Sequence, residues 1–92
     1  MNIVLSGKFT FQDHEAFKDV LQVIAKQPSN PVVLDMEALQ FVDSAALGML
    51  LLAHDAAVKH HKKIVVTGIH GQVKKMFDST RLDRMFSIEK AS

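Results

Sequence analysis

Hydrophobic positions along this chain change their spacing several times, and each change marks an element. Ile3, Val4 and Leu5 form an apolar run of strand length, ended by a turn at Ser6-Gly7, with a brief extension through Phe9. From Asp13 to Gln27 the apolar residues fall at Ala16, Phe17, Val20, Leu21 and Ile24, one face of an amphipathic helix, with Glu15, Lys18, Asp19, Gln22 and Lys26 on the other. Thr10 or Asp13 caps it, and Pro28-Ser29-Asn30-Pro31 stops it. Val32-Val33-Leu34 is continuously apolar, as for an interior strand covered on both faces. A strand-like run then ends at Phe41-Val42, and a second helix runs from about Ser44 to His60. Ile64-Val65-Val66 repeats the buried-strand pattern before Thr67-Gly68, and Gly71 to about Thr80 is a third helix with Val73, Met76 and Phe77 on one side. Phe86-Ser87-Ile88 alternates as a short final strand at a sheet edge. Strands too hydrophobic for a wet face, alternating with helices, predict an α/β sandwich.

Composition narrows what such a fold can do. Ninety-two residues suffice for one domain, 1–92, with one core, and a 48% hydrophobic, 23% charged chain folds rather than staying disordered. With no Trp or Tyr, that core rests on aliphatics, Met and six Phe. A formal net charge of +1 argues against a dedicated nucleic-acid partner. The absence of Cys excludes disulfides and thiolate metal sites. The N-terminal apolar run lacks the length and basic flank of a signal peptide, and no stretch reaches bilayer-spanning length. A cytoplasmic domain with no direct membrane insertion is the expectation.

The segment from Phe41 to Gly48 carries the chemistry. An apolar run meets Asp43, Ser44 follows, and an almost uninterrupted apolar helix begins. One hydroxyl thus stands at the positive end of a helix, where unpaired N–H groups favour an added phosphate. Serine is also a preferred N-cap, and Asp43 serves equally well, in which case Ser44 falls in the first turn with its hydroxyl free. At 100° per residue, Leu47, Met49, Leu50, Ala53, His54, Ala56, Ala57 and Val58 share a broad sector, while Gly48, Leu52, Asp55 and Lys59 lie opposite. Leu52 there is either a scattered surface leucine or a docking spot, with Gly48 allowing close approach.

The Asp-Ser-x-x-Leu-Gly core at Asp43, Ser44, Leu47 and Gly48 resembles the signature of the STAS domain, the anti-sigma factor antagonist family. The resemblance continues through Leu5-Ser6-Gly7, the helix of Phe17 to Ile24, Val32 to Asp35, Ile64 to Val66, and Val73 to Phe77 before Leu82. It implies an α/β, STAS-like fold over the whole chain, a small mixed β-sheet with α-helices packed on it. It also implies partner switching: the unphosphorylated form binds an anti-sigma factor or related serine kinase, which brings ATP and Mg²⁺, and phosphorylation at Ser44 ends the complex. A PP2C-type phosphatase then restores the active form. By the same resemblance, Asp43, Leu47, Gly48, Leu52 and Asp55 are candidate partner contacts, with Thr10 and Asp13 near the phosphoacceptor. The competing expectation is a constitutive structural subunit, as in STAS-like accessory proteins of lipid transporters, with Ser44 only a cap. Ala45, Ala46, Thr10 and Arg81 depart from the family's usual residues.

Other candidates carry less. Adjacent His60 and His61 diverge on a helix and, with Lys62 and Lys63, form a basic helix end. His54 is expected to be partly buried with its hydrogen bonds met. Asp35 has no nucleophile–base pair around it, and Gly7, Gly48, Gly68 and Gly71 fit no nucleotide-binding motif. No catalytic residue, metal site or cofactor is expected.

Overall fold

In the computed structural model, which describes residues 1–28 and 30–89, six short strands and three helices alternate. They are β1 (Asn2–Val4), β2 (Gly7–Phe9), α1 (His14–Lys26), β3 (Val32–Asp35), β4 (Leu39–Val42), α2 (Ser44–Lys59), β5 (Ile64–Thr67), α3 (Gly71–Thr80) and β6 (Ser87–Glu89). Single 3-10 turns at Phe11–Asp13 and Leu82–Arg84 precede α1 and β6.

Strands pair in the order β1-β3-β5-β6, while β2 and β4 form a separate two-stranded ladder. The α/β class is the one expected, but every described pairing is parallel, where the resemblance implies a mixed sheet. The reason is the connectivity. A helix lies between each pair of laddered neighbours and carries the chain back to the same end of the sheet, as parallel pairing demands. β6 lies at the edge, as expected.

One cluster gathers Val32 and Leu34 of β3, Ile64 and Val66 of β5, and the buried residues of all three helices. Val33 is only half-buried and Val65, its register partner, stands outside that cluster. The continuous apolar run of β3 therefore has one fully covered face and not two. Met36, Leu39 and Val42 are fully buried in the same cluster.

α1 follows its predicted periodicity. Phe17 and Ile24 are buried, Val20 and Leu21 pack against the core, and Ala16 is exposed. Its C-terminal carbonyls are held from outside the helix, by the Lys62 amine donating to the oxygens of Ile24 and Gln27. α2 buries Ala46, Leu47, Met49, Leu50, Ala53 and Ala57. Val58, placed in its apolar sector by periodicity, is 58% exposed, because a helix apolar nearly all round has no sharp edge to its buried stripe. His54 also differs: its Nδ1 is buried with no hydrogen-bond partner. After α3, Arg81 takes the left-handed conformation (φ 62) that ends many helices and that usually belongs to glycine. Gly68 (φ +70) is required by packing as well, since a Cβ there would come within 2.9 Å of the Glu37 backbone.

Candidate functional site

The β2–β4 ladder delivers its strand ends to the start of α2. β2 and β4 pair in register at Phe9 and Val42, so the residues after each strand, Thr10 and Asp43, leave side by side. Asp43 has extended backbone (φ -101, ψ 177) and is the N-cap of α2, its Oδ1 accepting the Ala46 amide at 2.8 Å. Its second oxygen, Oδ2, accepts the Phe11 amide at 3.1 Å. A single carboxylate thus caps α2 and fixes the loop that leads into α1. A cap contributes about 1 kcal/mol, and a hydrogen bond to a charged group about 1.5–3 kcal/mol.

Of the two cap assignments open in the sequence, the structure realises the one that releases serine. Ser44 is the first helical residue and is exposed. The loop opposite is self-braced: Asp13 Oδ2 accepts the Thr10 amide at 2.9 Å, and Thr10 Oγ1 accepts the Gln12 amide at 3.3 Å. Thr10 and Asp13 therefore shape the turn that Asp43 grips. Asp13 precedes α1 without making a forward cap bond to it.

Beyond Ser44, Gly48, Leu52 and Asp55 continue an exposed stripe along α2. Leu52 is 54% exposed. A Cβ built on Gly48 meets nothing within 4 Å, so the protein's own packing gives no reason for glycine there. Leu47, a candidate partner contact by sequence, is 5% exposed and part of the core. It packs into the core and is not on the stripe.

Two further residues shape the site. Phe11, 66% exposed, stacks its ring on His14 with centroids 5.7 Å apart and planes 17° apart, which extends the surface around Ser44 with an aromatic face. Gln72, in the first turn of α3, accepts the Val42 amide at 3.0 Å and donates to the Val42 carbonyl at 2.9 Å. Its carboxamide acts as one more strand, completing β4 on the side away from β2. Nothing in the local pattern around Gln72 signals this, because its partner lies thirty positions earlier. Among the described residues no three His, Asp or Glu side chains are placed to hold a metal ion.

Fold and site together define a small α/β domain in which Ser44 stands exposed at a helix N-terminus. Residues 1–88 match the family model described as Mlab, STAS domain. A STAS-domain containing protein of Pseudomonas aeruginosa (strain UCBPP-PA14) is 32% identical over 88 residues, covering 96% of this chain and 86% of that protein. The chain belongs to the STAS-domain family.

Solved structures agree on the fold. A candidate anti-sigma factor antagonist of Thermotoga maritima superposes with a TM-score of 0.84 at 17% identity, over 99% of this chain and 80% of its own. The anti-sigma factor antagonist SpoIIAA, in its unphosphorylated form, gives 0.76 at 15% identity, over 99% and 79%. A sulfate transporter family protein of Wolinella succinogenes gives 0.76 at 17% identity, over 97% and 75%. At these identities the likeness concerns architecture.

Proposed function

We propose that this protein is an anti-sigma factor antagonist-like regulator that binds an anti-sigma factor or related serine kinase while Ser44 is unmodified and leaves it when Ser44 is phosphorylated. The observation that carries this reading is the cap of α2. Asp43 does the capping, so Ser44 is exposed at a helix N-terminus and is not the cap. Phosphorylation would add nearly two negative charges. The helix N-terminus tolerates them, so the fold survives. A partner desolvating the stripe of Gly48, Leu52 and Asp55 is repelled. The partner kinase supplies ATP and Mg²⁺, a PP2C-type phosphatase reverses the change, and this chain is the substrate and not a catalyst. No helix among the described residues is long and apolar enough to cross a membrane, consistent with the cytoplasmic setting such a switch requires.

Two mutants and a phosphopeptide map test the proposal. Ser44→Ala is expected to keep the partner and resist phosphorylation; Ser44→Asp is expected to fold and bind at least about tenfold more weakly, a difference of about 1.4 kcal/mol. Equal partner affinity in both would eliminate the charge switch. A second reading, a constitutive subunit, draws on the exposed Phe11, Phe41 and Leu52 and on the occurrence of this fold in a sulfate transporter family protein. It predicts no phosphate at Ser44 in any growth state and a complex indifferent to both mutations.

A further inference from the structure

At the far end of α2 from Ser44, a cavity of about 250 Å³ opens between the helix and the sheet. It is lined by His54, Ala57 and Val58 of α2, Lys62 and Lys63 of the following loop, Ile64 at the start of β5, and Met85 and Ser87. Its polar lining consists of three nitrogen bases and one hydroxyl, with no carboxylate. Three features mark it. Val58 and Met85 are apolar yet 58% and 45% exposed. His54 lines it with a ring whose Nδ1 is buried without a hydrogen-bond partner. The Lys63 side chain is exposed and makes no ion pair among the described residues.

The geometry points to a binding site for a small apolar carboxylate, with the apolar tail against Val58, Ile64 and Met85 and the carboxylate toward Lys63, His54 and Ser87. Charge complementarity selects the anion. Lys62 is committed to the carbonyls of α1, but its charge stays beside the cavity. The C-terminal end of α2 opposes an anion with about half a charge, against a full positive charge on each of the two lysines. Asp55 stands 3.7 Å from His54 Nδ1, beyond hydrogen-bond distance, and is not part of the lining. Size selects a fragment, since pockets for drug-sized ligands run to roughly 300–1,000 Å³. The site is separate from Ser44 and independent of the switch.

An NMR titration of the full chain with octanoate, octanol and inorganic phosphate tests the assignment, following the Met85 methyl, the His54 ring and the Ser87 amide. Octanoate is expected to shift all three saturably with a Kd of about 1 mM, and octanol and phosphate to bind at least about tenfold more weakly. Lys63→Gln is expected to weaken octanoate severalfold, while Lys75→Gln, with the same change in net charge on α3, leaves it unchanged. Equal response to octanol reduces the site to an apolar crevice, and equal response to phosphate reduces it to a cation cluster. Either result overturns the proposal, as does the lack of saturation by about 10 mM octanoate.

Discussion

The carboxylate of Asp43 holds the amide of Phe11, thirty-two positions earlier in the chain, at 3.1 Å while its other oxygen caps α2. Asp43→Asn replaces one of those oxygens with a donor, so only one of the two amides keeps its acceptor. The expected loss is about 1–2 kcal/mol, and about 2 kcal/mol or more for Asp43→Ala. Urea unfolding measures both. Ser44→Ala is expected to change stability by no more than about 0.5 kcal/mol, because Ser44 is not the cap.

Leu47 and Leu52 separate folding from recognition. Leu47→Ala removes a buried side chain and is expected to cost about 2–5 kcal/mol. Leu52→Ala is expected to leave the thermal midpoint nearly unchanged, within about 0.5 kcal/mol, while lowering affinity for the proposed partner. A large stability loss in Leu52→Ala would mean that Leu52 is a packing residue after all.

Gly48→Ala is expected to stabilise the isolated protein by up to about 1 kcal/mol, since a helical glycine is exchanged for the best helix former and the new methyl meets open space. The same methyl obstructs a closely approaching backbone, so partner binding is expected to weaken as the melting temperature rises. Opposite movement of the two measurements is the diagnostic result; a gain in stability with unchanged binding would show that no partner uses the gap.

Gln72→Ala strips β4 of both side-chain hydrogen bonds at Val42. The expected cost is about 1–3 kcal/mol. Amide exchange at Val42 should accelerate more than exchange at Val66 in the sheet interior, and uniform acceleration would point to general loosening instead of a local clamp.

What the sequence made legible followed from how local each cause was. α1 was readable because its apolar and charged residues alternate at helical spacing, and Phe17 and Ile24 are buried where that spacing puts them. α2 was readable as a helix but not as an oriented one, and Val58 was misplaced for that reason. Asp43 and Ser44 are both good caps, so local sequence leaves the choice open. The structure gives the cap to Asp43, and the same carboxylate also holds the distant Phe11 amide. Strand direction, the half-open face of β3 and the clamp by Gln72 all depend on neighbours far along the chain. Arg81 is the converse case: its departure from the family's usual residue is visible in the sequence, and the backbone there still adopts the left-handed turn.

The amine of Lys62, bound to the last carbonyls of α1, acquires its meaning together with Asp43. Asp43 joins the head of α2 to the turn before α1, and Lys62 joins the residues after α2 to the tail of α1. The two longest helices are therefore braced at both ends, and neither has a free hinge about which to pivot. A phosphate on Ser44 would thus alter what the outer face of α2 displays and leave its position fixed. Free and modified forms should superpose, with the time course of any signal set by the enzymes that write and erase the mark.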